Sequence, residues 1–562
     1  MRNTFEIDPY PGKTRILFVG HPLSTHVHSW IDLLADSEIN VRFFAIPFYP
    51  PPGNWPVRTY LTLPEPPEGL NPDTRKWLHL ADISNGQFSP EQWLSIIIRY
   101  WQPDIVHTFG IDPASLFFAN VRRSFQLRKY VGTWVVQTRG GSDLTLARFD
   151  PDLSVRIHDV LNECDEIITD NKKNFEYIRE LNVPDGKIAA IAPVPGTGGI
   201  NAEEFADARK TPPSKRERII VWPKAYECPW SKSVPVFEAI REAWQKIAPC
   251  KIYMLAANPE GFMWFYGLPK QIREHCHIEE RIPRASVLDL LRQARVMLAP
   301  SLVDGIPNSL YEAMACGAFP IVSPLETIAT AVTNEENVLF ARNLQPEEIA
   351  KALVRAMSDD DLIDNATVNN LRVLREFADR SVIRTRMVGY YERLSIATSG
   401  NQASSDCRLK AMLLGRAMEL ENARAFELVD RAVVLHDSKV CDLVHRAISL
   451  NNPRVFDLLD RAMTMHSPRV FDLLDRAMSM SEAEVFDVLD RAMGLNNPIL
   501  FGLLEQAMAL RDARFLSLLK LAAALNNPRV FRLMTNKHGF LPAKTLAVFH
   551  VLMRRWGICK SS

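Results

Sequence analysis

Two carboxylates stand eight residues apart in the stretch "SLVDGIPNSLYEAMACG". Asp304 lies in a Gly/Pro-containing loop, and Glu312 lies in a helical pattern that ends at Gly317. Asn308 or Ser309 is expected to be the N-cap of this helix. A strand, a loop and a capped helix present free backbone N–H groups and the positive end of the helix dipole. Such an end binds an anionic group such as a diphosphate.

The spacing of the two acids fits a nucleotide sugar. Glu312 lies about one helical turn in, where a carboxylate can accept hydrogen bonds from two ribose hydroxyls, and Asp304 can reach a sugar attached to the diphosphate. The loop residues Gly305, Ile306 and Pro307 are expected to line the same site. The alternative is a capped helix with an acid in its first turns and no ligand, and this stretch alone leaves it open.

Short apolar runs alternate with helical patterns along the first part of the chain. Runs such as "TRILFVG", "INVRFFAI", "DIVHTFG", "TWVVQTRGG" and "EIITD" are typical of strands. Strands that alternate with helices predict a parallel sheet. Ligands of such sheets bind at the carboxyl ends of the strands, where Gly20, His107 and Arg139 lie. His107 is equally well explained as a satisfied histidine near the sheet edge or as a residue that binds an acceptor.

A Pro-containing, charged break at residues 206–218 separates two such series. The second series contains "RIIVWPK", "KIYMLAA", "RVMLAPS" and "AFPIVS". We therefore predict an α/β fold of two Rossmann-like domains, residues 1–205 and 206–396, with a cleft between them. Residues 397–406 have the composition of a linker.

Residues 407–537 repeat with a period of 15 residues, as in "NNPRVFDLLDRAMTM" followed by "HSPRVFDLLDRAMSM". The repeat predicts an all-α solenoid of short stacked helices, about ten residues each, because Pro at a helix start opposes a helix that runs through. One long helix in a right-handed supercoil is the alternative. Asp457 and Arg461 stand four apart and can pair within one helix. No catalytic pair recurs, so we expect the repeats to mediate oligomerisation or partner docking.

Composition excludes several classes of protein. The chain has 562 residues, with 66 Lys+Arg and 66 Asp+Glu, so no global positive field exists to hold nucleic acid. No apolar run is long enough to predict a transmembrane helix. The eight cysteines form no CxxC pair, which suits a reducing cytosol. The "HCH" at residues 275–277 is not expected to bind a metal, because adjacent side chains diverge.

The stretch with the two acids resembles the E-x7-E signature of retaining GT-B glycosyltransferases, with Asp304 in place of the commonest first Glu. "EAMACGAFPIVS" resembles the family's next segment, and "WPKAYECPWSKS" resembles its Arg…Lys pair, with Lys224 and Lys232 in those places. The resemblance implies that Glu312 binds ribose, that Asp304 contacts the donor sugar, and that the two lysines clamp the diphosphate. Arg139 stands where many members carry a His beside the transferred sugar.

This resemblance, which covers about residues 14–395, implies a retaining transferase. It would move a hexose-type sugar from a nucleoside diphosphate to a hydroxyl of a glycan, a lipid-linked sugar or a protein, with no metal or other cofactor. Asp304, Lys224, Lys232 and Arg139 would serve catalysis. A non-catalytic nucleotide-sugar-binding scaffold and a sugar-nucleotide epimerase of the same fold are the alternatives.

The sequence also predicts the location of the protein and its contacts with a membrane, a second subunit or an acceptor. The expected location is the cytoplasm, with peripheral contact at the inner face of a membrane as an option. Residues 538–562 break the repeat and are expected to be a cap, a subunit contact or an amphipathic contact with a membrane surface. His21, His26 and His28 follow the first strand and are candidates for contact with the acceptor.

Overall fold

The chain folds as two compact units, the first within residues 8–402 and the second beginning at residue 403. The first unit contains two parallel sheets, and the second contains the repeats. The computed structural model describes residues 9–47, 49, 51, 55–62, 78–80, 89–138, 140–398, 413, 417, 423–435, 437–480, 482–511, 513–526 and 534.

Seven parallel strands form the first sheet, in the order β4-β3-β2-β1-β5-β6-β7. Most of them are apolar and buried along their length, which is typical of parallel strands. The order reverses between β1 and β5. The strands are β1 Arg15–Gly20, β2 Asn40–Ala45, β3 Arg58–Leu61, β4 Leu78–Leu80, β5 Ile105–Phe109, β6 Thr133–Gln137 and β7 Glu166–Ile168.

Six parallel strands form the second sheet, in the order β10-β9-β8-β11-β12-β13. Side chains alternate across each strand. Ile220 and Trp222 of β8 therefore face one hydrophobic cluster, while Ile219 and Val221 face another. The strands are β8 Ile219–Trp222, β9 Lys251–Met254, β10 Cys276–Ile278, β11 Val296–Ala299, β12 Phe319–Val322 and β13 Leu339–Phe340.

Helices connect the strands of this unit, and short 3-10 and π turns lie between them. The α-helices are Thr25–Ile31, Pro90–Trp101, Leu116–Ser124, Pro151–Glu163, Lys173–Glu180, Ala206–Arg209, Val234–Ile247, Pro259–Tyr266, Lys270–Arg273, Arg284–Gln293, Asn308–Cys316, Pro346–Ser358, Asp360–Val373 and Arg380–Thr398.

The predicted α/β fold of two parallel sheets is confirmed. All nine strands that the sequence predicts are present, from β1 to β12, with ends shifted by one or more residues. The four unpredicted strands, β3, β4, β10 and β13, have only two to four residues each. Length alone does not explain why they were missed, because the predicted strand β7 also has only three residues.

The last helix of the unit, Arg380–Thr398, follows the second sheet in sequence but packs in the core of the first. Met387 and Tyr391 are fully buried among the side chains of β1, β2 and the first helix. The Trp30 indole N–H donates to the Tyr391 hydroxyl at 2.9 Å. The Arg380 guanidinium donates to the Ser29 backbone carbonyl at 2.7 Å. This helix therefore joins the two domains of the unit.

Each described repeat forms one helix, so short helices are confirmed and one long helix is wrong for these residues. The helices have 13 residues rather than about ten. A residue with left-handed backbone, such as Asn451 or Asn496, ends a helix, and the side chain of Asn452 or Asn497 caps the next. The helices are Ala423–Leu435, Ser438–Leu450, Pro453–Met465, Pro468–Met480, Ala483–Leu495, Pro498–Leu510 and Ala513–Leu525.

Ion pairs in the repeats join helices that are two positions apart along the chain. Each described repeat helix contacts the next and the next but one. Asp457 accepts from Arg424 at 2.7 Å, and Arg461 pairs with Asp490. The predicted pairing of Asp457 with Arg461 inside one helix is therefore wrong, because each side chain instead reaches the next helix but one along the chain. We call each set of alternate helices a helix row.

Candidate functional site

The loops after β8 and β11 meet at the point where the strand order of the second sheet reverses. The backbone N–H of Leu302 donates to the carbonyl of Trp230 at 2.9 Å, which joins the two loops. Ligands of open parallel sheets bind at such a point, outside the carboxyl ends of the strands. Lys224 and Lys232 lie on the first loop and Asp304 on the second, so one edge of the sheet brings all three together.

The motif helix, Asn308–Cys316, has its N-cap one residue earlier than the first of the two predicted caps. Pro307 is the N-cap, and neither Asn308 nor Ser309 caps the helix with its side chain. The side-chain Oδ1 of Asn308 instead accepts from the Thr197 hydroxyl at 2.9 Å, across the junction of the two domains. Proline fixes an extended backbone at the cap position without a side-chain acceptor. The predicted end at Gly317 is confirmed, with a left-handed φ of 77°.

Lys224, in the loop after β8, and Asp304, in the loop after β11, form an ion pair. Their side chains are 21% and 23% exposed, so water screens the pair only in part. Burial acts to lower the pKa of Lys224, but the Asp304 carboxylate outweighs burial and holds that pKa above its ordinary value. The ammonium therefore stays charged at neutral pH, next to the acid expected to meet the sugar.

Lys232 lies on the same loop and pairs with Glu227, with Nζ and Oε1 2.8 Å apart. Asn343 fixes the backbone of Lys232, since the side-chain Oδ1 of Asn343 accepts from the backbone N–H of Lys232 at 2.9 Å. Glu227 also accepts from the Ser233 N–H at 2.8 Å. Lys232 is thus anchored through its backbone, while its side chain remains 38% exposed.

Glu312 lies in the second turn of the motif helix and is 12% exposed. Its Oε1 accepts from the Arg284 Nε–H at 2.8 Å. Burial raises the pKa of Glu312, and the Arg284 charge opposes that rise. Arg284 was not predicted as a site residue, because nothing in "RIPRASV" distinguishes it from a solvated arginine at a helix start.

The loop Gly305–Pro307 is pressed against the first domain. A Cβ on Gly305 would lie 2.2 Å from the Asp170 carboxylate and 2.8 Å from the Gly140 Cα, so only glycine fits. The backbone N–H of Ile306 points to Asp170 Oδ2 at 3.4 Å. Asp170 was missed as a site residue although it follows β7, at the strand end where the sequence rule looks for ligand contacts.

The first domain supplies further groups at the junction. The ring of His26 lies 3.4 Å from the Asn308 amide, which places His26, among the three candidate histidines, at the motif helix. A Cβ on Gly141 would lie 3.0 Å from the Asp304 Cα. Tyr177 donates to Glu326 of the second domain at 3.0 Å. Arg139, the predicted basic residue beside the sugar, lies outside the described residues.

Two predicted site residues of the first sheet lie in the core instead. His107 is fully buried, with one ring nitrogen 2.7 Å from the Tyr391 hydroxyl and the other 3.2 Å from Gln137 Oε1. Desolvation lowers the pKa of His107 to about 3, so its imidazole is neutral. Gly20 packs against Phe109, which would lie 3.1 Å from an added Cβ. Neither residue is available to a ligand, and the core explanation of His107 is the right one.

The "HCH" side chains diverge in the structure. Cys276 is buried in the core of the second domain, while the ring of His277 stacks on Tyr253 at 4.8 Å between centroids. The ring of His275 packs near Trp244. Among the described residues, no group of three or more His, Cys, Asp or Glu side chains is arranged to hold a metal ion.

Comparisons with known proteins agree with this geometry. Residues 233–359 match the sequence profile of the family described as "Glycosyl transferases group 1". The chain is also 23% identical over 305 residues to the N,N'-diacetylbacillosaminyl-diphospho-undecaprenol alpha-1,3-N-acetylgalactosaminyltransferase of Campylobacter jejuni, an alignment that spans 51% of this chain and 74% of that enzyme.

Two solved structures share the fold. Sucrose-phosphate synthase from Thermosynechococcus elongatus superposes with a TM-score of 0.50 at 17% identity, over 68% of this chain and 100% of that one. The HepE protein of Anabaena, in complex with UDP-glucose, superposes with a TM-score of 0.50 at 10% identity, over 68% of this chain and 100% of that one. At these identities the likeness shows the fold alone.

The two-sheet unit therefore has the GT-B fold, and the profile match and the Campylobacter relative support a glycosyltransferase. The profile begins directly after Lys232 and includes Asp304 and Glu312. Within the described ranges, no helix is both long and apolar enough to cross a bilayer.

Proposed function

We propose that residues 8–402 form a retaining glycosyltransferase that takes its sugar from a nucleoside diphosphate. The observation that carries the proposal is the meeting of Lys224, Asp304 and the start of the motif helix at the carboxyl ends of β8 and β11. A cation and helix N–H groups suit a diphosphate. A carboxylate beside them suits the hydroxyls of the attached sugar.

Donor binding would exchange ion pairs rather than bury new charges. Lys224 would turn from Asp304 to the diphosphate, which leaves the Asp304 carboxylate to accept hydrogen bonds from the sugar. Lys232 would leave Glu227 in the same way. Because each lysine already has an anionic partner, the exchange avoids the cost of burying an unpaired ammonium.

Glu312 is assigned to the ribose. Arg284 contacts Oε1, and the second carboxylate oxygen can accept from a ribose hydroxyl. The raised pKa of Glu312 is caused by burial, and burial also strengthens a charge-assisted hydrogen bond. The glutamate would thus hold the nucleoside while the lysines hold the diphosphate.

The chemical step would place the acceptor hydroxyl on the same face of the sugar as the leaving diphosphate. The hydroxyl oxygen forms the new bond to the anomeric carbon, the bond from that carbon to the diphosphate breaks, and the hydroxyl proton passes to a diphosphate oxygen. Catalysis then depends on positioning and on neutralising the charge that grows on the leaving group. Lys224, Lys232 and the helix start supply that neutralisation.

The acceptor is proposed to be a hydroxyl of a lipid-linked sugar. This rests on the Campylobacter relative, whose name specifies a sugar carried by diphospho-undecaprenol. A glycan or a protein hydroxyl is the alternative. The repeats are proposed to mediate assembly or partner docking, because their ion pairs and apolar stripe recur without any candidate catalytic group.

A donor panel tests the proposal. The full chain is mixed with UDP-, GDP- and ADP-sugars, and binding is measured by thermal shift and turnover by release of the nucleoside diphosphate. One donor class should bind and turn over, and Lys224→Ala should lose turnover while the exposed Lys246→Ala keeps it. Retention is read from the anomeric configuration of the product by NMR, and a chelator should leave the rate unchanged.

The outcomes separate the alternatives. Binding without turnover, in the presence of a lipid-linked acceptor panel, would favour the scaffold. Release of an altered nucleotide sugar rather than a free nucleoside diphosphate would favour an epimerase. No binding by any donor would contradict all three assignments.

A further inference from the structure

Asp170 is a buried carboxyl group that the proposed chemistry does not use. It follows β7 of the first sheet and is 9% exposed. An added Cβ on Gly140 of its own domain or on Gly305 of the other domain would lie 2.2 Å from its Oδ2. Glycine therefore stands on both sides of this carboxyl group, once from each domain.

Polar contacts orient the Asp170 carboxyl group between those glycines. Oδ1 accepts from the Asn171 amide at 2.7 Å and from the Asn174 amide at 3.4 Å, both within the first domain. Oδ2 faces the backbone N–H of Ile306, in the loop that carries Asp304. Oδ1 is thus held by the first domain, while Oδ2 contacts the loop Asp304–Pro307 of the second domain.

The loop has a second attachment from its own domain. The Thr327 hydroxyl donates to the Asp304 carbonyl at 2.7 Å, and Thr327 is 2% exposed. This contact does not depend on the first domain. The contact of Asp170 with Ile306 does depend on the first domain, so Asp170 can couple closure of the two domains to the position of Asp304.

We propose that Asp170 is a positioning residue of the transferase, which fixes the loop Asp304–Pro307 when the two domains close on the donor. The proposal rests on the proposed function for its substrate. It requires no contact between Asp170 and the donor, because Asp170 acts through the loop.

The charge state of Asp170 then matters for closure. Burial is the main cause that raises the pKa of Asp170 to about 7, and the nearby Asp304 carboxylate adds to it. The groups that face it from the other domain are Asp304, which is paired with Lys224, and the buried phenol of Tyr311. In an open form, water would return the pKa to about 4.

The sign of the pH effect follows from these two values. Because the closed form has the higher pKa, closure takes up a proton between about pH 4 and 7, and closure weakens as pH rises through that window. The closed-to-open ratio should fall about tenfold from pH 6 to pH 8. Asp170→Asn is neutral at every pH and should abolish this change.

Kinetics of the full chain test the proposal in one arm. kcat and KM for the donor are measured from pH 6 to 8.5 for the wild type, Asp170→Asn, Asp170→Ala and the exposed control Asp185→Asn. The kcat/KM of the wild type and of the control should fall about tenfold across that range, whereas the kcat/KM of Asp170→Asn should not show this fall. Asp170→Ala should reduce kcat at every pH. Superimposable pH profiles for the wild type and Asp170→Asn would overturn the proposal.

A steric test does not depend on titration. The three nearest atoms to a Cβ on Gly140 all belong to Asp170, at 2.2 to 2.6 Å. Gly140→Ala should therefore reduce kcat, and Gly140→Ala/Asp170→Ala should be no worse than Asp170→Ala alone. Circular dichroism confirms that each variant is folded. Additive losses in the double variant would contradict a role through Asp170.

A conformational readout separates this proposal from the proposed function. Spin labels are placed on the exposed Val155→Cys and Val368→Cys, one per domain, with Cys228, Cys407 and Cys559 replaced by serine. The fraction of molecules with the shorter distance between the two labels should fall from pH 6 to pH 8 in the labelled protein. The same fraction should stay constant when the labelled protein also contains Asp170→Asn. If no nucleotide sugar is turned over, the transferase assignment fails, but these distances still decide whether Asp170 controls closure. Equal pH dependence in both proteins would contradict it.

Discussion

Ion pairs occur in both units of the molecule, but their surroundings differ. In the site, Lys224 and Asp304 are about one-fifth exposed and contact a loop at the domain junction. In the repeats, pairs such as Lys439–Asp472 are 46% and 59% exposed and recur along the helix rows. The partly buried pair of the site is the one proposed to be exchanged for a ligand, while the exposed pairs of the repeats add little energy each.

The repeats depend on their apolar stripe rather than on their charges. Phe456 is fully buried, and the equivalent Phe471, Phe486 and Phe501 are no more than 5% exposed. Burial of one such ring contributes several times what one exposed pair contributes. The comparison predicts opposite sensitivities: the repeats should tolerate charge changes and the site should not.

The largest effect is expected from Phe456→Ala. Removal of a fully buried ring should destabilise the repeat unit by about 3–5 kcal/mol, through lost burial and a cavity. Hydrogen exchange of the helix Pro453–Met465 in the full chain measures the change. Turnover of the donor should be unaffected, and a matching loss of turnover would break the separation of roles between the two units.

Lys232→Ala should lower turnover by about a hundredfold, because the ammonium meets charge that grows as the diphosphate leaves. Affinity for the free nucleoside diphosphate should fall much less. Single-turnover kinetics and calorimetry measure the two quantities. An equal loss in both would assign Lys232 to ground-state binding instead.

Glu312→Ala should weaken nucleoside diphosphate binding by about tenfold to a hundredfold, since it removes one charge-assisted hydrogen bond. Calorimetry with UDP, GDP and ADP measures the loss. Glu347→Ala is the matched control, an exposed acid in the first turn of the next α-helix along the chain. Full binding by Glu312→Ala would remove the ribose assignment.

The smallest effect is expected from Asp472→Asn, which removes the exposed pair with Lys439. The free energy of unfolding should change by less than about 1 kcal/mol, and the change should shrink further at high salt. Denaturant titration with and without salt checks this. A loss of several kcal/mol would show that the helix rows depend on their charges after all.

The sequence predicted the parts of the molecule that follow a periodic pattern. Nine of the described strands, the helix that ends at Gly317 and one helix per described repeat all follow from apolar spacing and from Gly or Pro at the ends. The loops that carry Lys224, Lys232 and Asp304 also converge as the strand-end rule expects.

Contacts between distant segments were not predicted. His107 was predicted at a strand end, but it lies in the middle of β5 and contacts Tyr391, which is 284 residues away in sequence. Arg284 pairs with Glu312 from another helix, and Asp170 reaches Ile306 from the other domain. Such partners depend on how elements pack in three dimensions, and a local pattern contains no record of that packing.

Pairing between next-but-one helices sets how the repeat array can change its length. Because each row contains every second helix, loss of a single 15-residue repeat would move all later helices into the opposite row, but the repeats share their apolar positions, so equivalent side chains would still meet. Loss or gain of two adjacent repeats would also leave both rows in register. A single 15-residue repeat is therefore the expected unit of insertion and deletion, and an array with one repeat removed should fold more stably than an array with two removed, because it keeps one more interface between helices.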